Sequence, residues 1–348
     1  MTPDIITRIE GHAGIISLNR PSALHALTLD MVHAMTETLL KWQTSRKVKC
    51  VIVDHAEGRG FCAGGDIAFL RESALKDGKA GREFFHDEYQ LNHLMFTYPK
   101  PMVAFMDGIC MGGGVGISQP ARFRVATENT RLAMPETGIG LFPDVGGGWY
   151  LSRLEGRVGQ FLALTGARVA GSGCLELGLA THYLPAEALP DAKARIATED
   201  IERIDGILGT LSVTPPPSKI VETLFDINRH FASDRFEDIL ISLEGDNSDW
   251  AMRELATLRG KSPQTCKVAL RQLSESANLA DFADNMVMEY RIGSRVLLRP
   301  DFAEGVRAVI VEKDNAPKWN PATPEGVTDD LLDAIFAPLP EEEEWKPL

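Results

Sequence analysis

The chain has 348 residues, of which 44% are hydrophobic, so it can build a packed core and disorder is excluded as the starting assumption. Its formal net charge of -13 argues against a nucleic-acid surface, which needs clustered Lys and Arg, but leaves room for an anionic ligand held by a local patch. No apolar run approaches the ~18 residues of a spanning helix, the segment MTPDIITRIEG lacks the basic-then-apolar order of a secretory signal, and five cysteines show no CxxC. The expectation is a cytoplasmic or organelle-matrix protein with reduced thiols, no membrane partner, no disulfide frame and no metal site.

Residues 5–9 and 14–18 read as two strands joined by a glycine-containing turn, a hairpin. Thr28 is placed to cap a helix that carries Met31, Met35, Leu39 and Trp42 on one face. Residues 50–53 form a short buried strand, and the order strand, strand, helix, strand favours an α/β layer structure. EGRGFCAGGD, residues 57–66, is a glycine loop before a helix-like stretch. It reads either as an ordinary turn capped by Asp66 or as a set of free backbone N–H groups. Residues 81–98 form a helix with Phe84, Phe85 and Met95 on its apolar face. Glu88 falls on that face, where a carboxylate is costly unless paired, for instance with Arg122 or Arg124, or used.

Residues 99–148 hold ten of the chain's 31 glycines. A strand over 102–106 leads into Gly112-Gly113-Gly114 and an apolar helix, and two short strands follow, over 122–126 and 131–134. Glu136 and Asp144 then stand eight apart in a segment with prolines at 135 and 143 and glycines at 138 and 140, which predicts a rigid loop. Asp144 has a structural alternative as cap of a helix starting near Gly147; Glu136 has none. Helix, helix and short strand follow up to residue 184. After Pro215-Pro216-Pro217 the pattern is amphipathic helices without strands, closing on an acidic tail, PLPEEEEWKPL, that reads as solvated. The expected organisation is an α/β core over 1–200 and a helical region over 201–348. GxSxG, HExxH and P-loop patterns are missing, and what remains is the equipment for stabilising an oxyanion on a carbonyl substrate.

FCAGGD (residues 61–66), MDGICMGGGVGI (106–117) and AMPETGIGLFPDVGGG (133–148) together resemble the crotonase superfamily, and within it are most similar to the 3-hydroxyisobutyryl-CoA hydrolases. The resemblance implies a spiral of ββα units that binds an acyl-CoA thioester, with the thioester oxygen held by the N–H groups of Gly65 and Gly113. It places Ala63, Gly64, Asp66 and Ile67 along the CoA, pairs Glu136 with Asp144 as catalytic acids, and matches Glu88 to a substrate-contacting glutamate. Hydratases of the superfamily carry a further glutamate two residues after the GGG run, where this chain has Gly116. Adding water across a double bond with two carboxylates is therefore disfavoured. His25 is a departure, since relatives commonly carry asparagine there, in a segment expected near the CoA. Relatives often form trimers, which leaves a homo-oligomer open.

The implied reaction is hydrolysis of a short 3-hydroxyacyl-CoA, with 3-hydroxyisobutyryl-CoA as the leading substrate. Two N–H donors hold the oxyanion, worth ~3 kcal/mol each. Glu136 attacks the carbonyl or deprotonates a water, Asp144 orients the water or the substrate hydroxyl, and Glu88 binds the polar acyl end. A thiol leaving group of pKa about 8.5 needs no strong general acid, so no cofactor is required beyond the CoA of the substrate. The competing expectations are an enoyl-CoA hydratase or isomerase, and a catalytically silent acyl-CoA-binding protein.

Overall fold

The computed structural model describes residues 3–348, and its contacts separate the chain into two compact units. One is assembled from the described part of Met1–Gly65 with Leu91–Ala133 and Arg168–Val221; the other from Asp66–Gln90, Met134–Ala167 and Glu222–Leu348. The division at residue 200 expected from the sequence separates element types, since the last strand ends at Tyr183. The packing units interleave along the chain instead.

All ten strands lie in the first unit: β1 Ile5–Glu10, β2 Ala13–Leu18, β3 Cys50–His55, β4 Gly60–Cys62, β5 Met102–Met106, β6 Ile109–Met111, β7 Phe123–Ala126, β8 Arg131–Ala133, β9 Val169–Ala170 and β10 His182–Tyr183. β1 and β2 form the expected antiparallel hairpin. The six-stranded sheet runs β1-β2-β3-β5-β7-β10 and the four-stranded sheet β4-β6-β8-β9. Successive pairs β3/β4, β5/β6 and β7/β8 each give their first strand to one sheet and their second to the other. Neighbours within each series are parallel, so every pair advances both sheets by one position. That is a spiral of ββα turns.

Both faces of the central strands are buried, as parallel strands require. On one face Ile15, Ile52, Val103, Phe105 and Val125 pack against Leu189, Ile196, Ile204 and Leu208 of two helices, Leu189–Thr198 and Ile204–Leu211, that periodicity alone did not resolve. Thr28 caps the Leu29–Gln43 helix as expected, accepting from Met31 N at 3.2 Å. Trp42 of that helix lies flat over Gly14, where a Cβ would come within 2.5 Å of its ring.

The second unit is helical throughout its described length. Its tail corrects the sequence reading. Instead of being solvated, Trp345 is buried and its Nε1 donates to His86 O at 3.0 Å, Gln90 Nε2 donates to Lys346 O at 3.1 Å, and Glu344 pairs with Arg291 at 2.8 Å. The four glutamates mask one large anchor, and the anchor decides where the tail goes. It runs along the same helix, Lys79–Phe96, that carries Glu88.

Candidate active site

The chemistry-bearing groups fall into two sets, one in each unit. In the first unit, β4 and β6 are adjacent and parallel, so the loops that follow them leave the same edge of the sheet. The first is Ala63-Gly64-Gly65; the second is Gly112-Gly113, opening the short helix Gly113–Ser118. The two loops touch: a Cβ on Gly64 would lie 3.6 Å from Met111 O and 3.8 Å from Gly113 N. Gly64 has φ +117° and Gly112 φ +49°, conformations that a side chain would strain. Gly114 is required for a different reason, since a Cβ there would sit 2.3 Å from Cys62 O. Gly64 O accepts from Leu27 N at 2.8 Å, while the N–H groups of Gly65 and Gly113 find no acceptor among the described residues. Two unspent backbone donors at one sheet edge are what an oxyanion needs.

His25, between these loops and the hairpin, is buried at φ +57°. Its Nδ1 accepts from Arg20 N at 2.9 Å and its Nε2 faces Glu57 O at 2.8 Å, an arrangement for the neutral ring, and burial lowers its pKa. The departure from asparagine is thus accommodated by the loop's own backbone. Asp66 caps the Ile67–Ala74 helix, accepting from Phe69 N at 3.2 Å.

In the second unit, Glu88, Glu136 and Asp144 are all buried, at 2%, 5% and 5% exposure. Glu136 opens a 3-10 turn, Glu136–Ile139, that closes on Gly140 at φ +69°. Three backings fix that turn: Ser262 N donates to Thr137 O at 3.1 Å, and Thr137 Oγ1 donates to Leu164 O at 3.0 Å. Gly140 and Gly305 let the turn meet the Pro300–Val306 helix backbone to backbone. Asp144 does not cap the following helix; Gly146 is the cap residue, and Asp144 Oδ2 accepts from Tyr89 OH at 2.9 Å. Glu88 has no arginine to neutralise it. Its electrostatic neighbours are Asp144 and Glu136, and its Oε1, like Glu136 Oε2, is buried without a hydrogen-bond partner. Arg124, one partner suggested by the sequence, donates to the carbonyls of Leu179, Ala121 and Gly178.

Three acids brought together out of water cannot all ionise cheaply. Burial, then Asp144 and Glu136, push Glu88 well above the usual carboxylate range. Burial and Asp144 do the same to Glu136, and Lys261 pulls it back. Burial raises Asp144 to about 7 while the Tyr89 hydroxyl holds it down. Lys261 Nζ lies 3.2 Å from where a Cβ on Gly138 would be, and its own pKa is lowered by burial. Each of the three is raised by burial, so the set contains carboxylates of raised basicity, which general base or nucleophilic work requires.

Sequence reasoning missed Glu289, Gln272, Tyr89 and Lys261. Glu289 had a readable signal, since Phe282, Met286, Glu289, Gly293 and Val296 recur at helical spacing and are all buried, so it is a carboxylate on an apolar face just as Glu88 is. Among the described residues no helix is long and apolar enough to cross a membrane.

Comparison with known proteins agrees with this geometry over almost the whole chain. Curated relatives named 3-hydroxyisobutyryl-CoA hydrolase, mitochondrial, include those of Xenopus tropicalis, 41% identical over 94% of this chain and 87% of the relative, and of Homo sapiens, 39% identical over 97% and 89%. A solved structure described as a carnitinyl-CoA dehydratase from Mycobacterium thermoresistibile superposes with a TM-score of 0.93 at 37% identity, covering 99% of both chains. One described as an enoyl-CoA hydratase from Rhodobacter sphaeroides gives 0.92 at 35%, covering 99% of this chain and 100% of the other. Residues 13–336 match the enoyl-CoA hydratase/isomerase family, a match that spans both glycine loops and the acids after β8: the chain belongs to the enoyl-CoA hydratase/isomerase family.

Proposed function

We propose that this chain hydrolyses the thioester of a short 3-hydroxyacyl-CoA, with 3-hydroxyisobutyryl-CoA as the substrate to test first. The observation that carries the reading is the buried pair Glu136 and Asp144, together with Gly116 in the helix that follows the GGG run. That helix offers no carboxylate, so the two-carboxylate addition of water across a double bond is disfavoured. Curated relatives at about 40% identity carry the hydrolase name, while the two solved structures are described as a dehydratase and a hydratase. The acids favour the first group.

In the proposed reaction the N–H groups of Gly65 and Gly113 accept the charge that develops on the thioester oxygen, at ~3 kcal/mol per donor. Glu136 supplies the attacking oxygen: its own, forming a mixed anhydride that water then hydrolyses to free the acid and the carboxylate, or that of a water it deprotonates. Its raised pKa makes it a stronger base than an ordinary carboxylate. Asp144, oriented by Tyr89, positions the water or the substrate hydroxyl, and Glu88 offers its unpartnered Oε1 to the polar acyl end. Ala63, Gly64, Asp66 and Ile67 border the CoA. The thiolate leaves without a dedicated acid, its pKa being about 8.5. No group beyond the chain and its substrate enters a step. The relatives are named mitochondrial; for this chain an aqueous compartment, cytoplasm or organelle matrix, is the proposal.

Free-thiol release separates the readings. Release from 3-hydroxyisobutyryl-CoA, with crotonyl-CoA keeping its conjugated absorbance, is the expected result. Crotonyl-CoA hydration without thiol release sinks the hydrolase reading in favour of a hydratase, and neither activity points to a silent binding protein. The neighbouring substrate 3-hydroxypropionyl-CoA lacks one methyl, worth ~1–3 kcal/mol of discrimination, so both esters belong in the panel.

A further inference from the structure

Asp144 sits in a backbone that an unrestrained chain avoids. Val145, a β-branched residue, has φ +53°, and Gly146 follows at +87°. Something must hold this turn, and four buried side chains from two C-terminal helices are built around it. Glu289, on the Phe282–Val296 helix and fully buried, accepts from Gly146 N at 2.7 Å and from Gly148 N at 3.0 Å. Its Oε1 also accepts from Gln272 Nε2 at 3.0 Å and from Asn285 Nδ2 at 2.9 Å. Gln272, on the Pro263–Ser276 helix, donates with the same nitrogen to Pro143 O at 2.7 Å, and Ser276 Oγ donates to Asn285 Oδ1 at 2.7 Å. The turn is therefore gripped at Pro143 on one side of Asp144 and at Gly146 and Gly148 on the other. Gly148 leaves the room for this, because a Cβ there would lie 2.5 Å from Ser276 Oγ and 2.8 Å from Gln272 Nε2.

We propose that Glu289 is a positioning residue for Asp144: its carboxylate clamps the Gly146 and Gly148 amides and so holds the strained 143–148 turn in the conformation that presents Asp144 to Tyr89 and Glu136. This rests on the reading of Asp144 as a working acid of the hydrolase. A glutamine has the same length, but it loses the charge and presents an N–H₂ where the clamp needs an acceptor. The titratable groups facing Glu289 are Asp144 and Tyr89; its other neighbours are neutral amides. Burial raises Glu289 to about 8, against the pull of the two backbone N–H groups and Asn285.

The test is Glu289→Gln in the full chain, read three ways. Thiol release from 3-hydroxyisobutyryl-CoA falls at least tenfold in kcat with KM within threefold, after correction for the folded fraction measured by circular dichroism. The acid limb of the kcat profile moves, because Asp144 loses its placement. In the wild-type protein the Gly146 and Gly148 amide protons, followed by NMR, resist hydrogen exchange; in the variant, if it folds, they exchange at least tenfold faster. A variant that keeps kcat within twofold, a loss wholly explained by the unfolded fraction, or wild-type amides that exchange as freely as exposed ones overturns the proposal. If the wild type releases no thiol from any ester, the hydrolase reading fails. The amide exchange still judges the clamp.

Discussion

The two units prepare their chemistry in opposite ways. In the unit that contains the strands, the proposed working groups are backbone N–H groups at Gly65 and Gly113. Their placement comes from β4 and β6 ending side by side. An amide carries no titratable charge, so this arrangement is stable at any moderate pH. In the helical unit the proposed working groups are Glu88, Glu136 and Asp144, buried together and all raised in pKa. The second unit therefore holds acids in an environment that disfavours their charged forms, and a buried polar network with Glu289 at its centre holds the turn that carries Asp144. Both placements cost folding free energy, but only that of the acids varies with pH.

That contrast breaks if the acids prove dispensable. Short of removing Glu136 itself, the largest expected effect is for Asp144→Asn. Tyr89 OH still finds an acceptor in the amide, so the protein folds, but thiol release drops by a factor on the order of 10² to 10³, comparable to losing one preorganised polar group at a reacting centre. A steady-state kcat within threefold of wild type would remove Asp144 from the chemistry. Next comes the donor unit. Gly114→Ala drives a methyl into Cys62 O, which a backbone pair can relieve only by moving the loops apart. A loss of about 2 kcal/mol in denaturant unfolding, with kcat reduced by displaced donors, is expected. An unchanged midpoint would show that the close approach of β4 to the Gly113–Ser118 helix is not a constraint.

The smallest effect sharpens the comparison by sign. Asp144 has a folded pKa of about 7 against an ordinary value of 3.8, so between those values the folded state binds more protons than the unfolded one. The contribution of this group is then fully present below the ordinary carboxylate range and is lost as pH rises through its folded value of about 7. Denaturant midpoints between pH 5 and pH 8 check this. The slope should flatten in Glu88→Gln, which removes one member of the cluster. A midpoint that rises over that interval contradicts the account of the acids.

How much of this was legible in the sequence follows from the same division. Gly64 and Gly112 answer to local backbone demands at positive φ, so the loops could be read from residues a few positions apart, whereas Gly114 answers to Cys62 O far back in the chain and the donors Gly65 and Gly113 came from the family resemblance. The order of short apolar strands supported only an α/β layer structure; the spiral came from the family resemblance of the three glycine-rich motifs. Glu136 was marked by Pro135 and an apolar setting, and Glu88 by its place on a helical face. Glu289 obeys the face rule too, but what it binds, the Gly146 and Gly148 amides, lies more than 140 positions away and leaves no local pattern. The tail failed for the opposite reason: its composition is acidic and polar, and one buried residue, Trp345, overrules the rest.

The most direct measurement of the central claim is Glu136→Gln assayed for thiol release from 3-hydroxyisobutyryl-CoA, with binding of the same ester followed by calorimetry. The account predicts that turnover falls by at least about 10³-fold while the dissociation constant stays within a few-fold, since the glutamine fills the same space and only the attacking oxygen is lost. Turnover within tenfold of wild type, with binding intact, would contradict it.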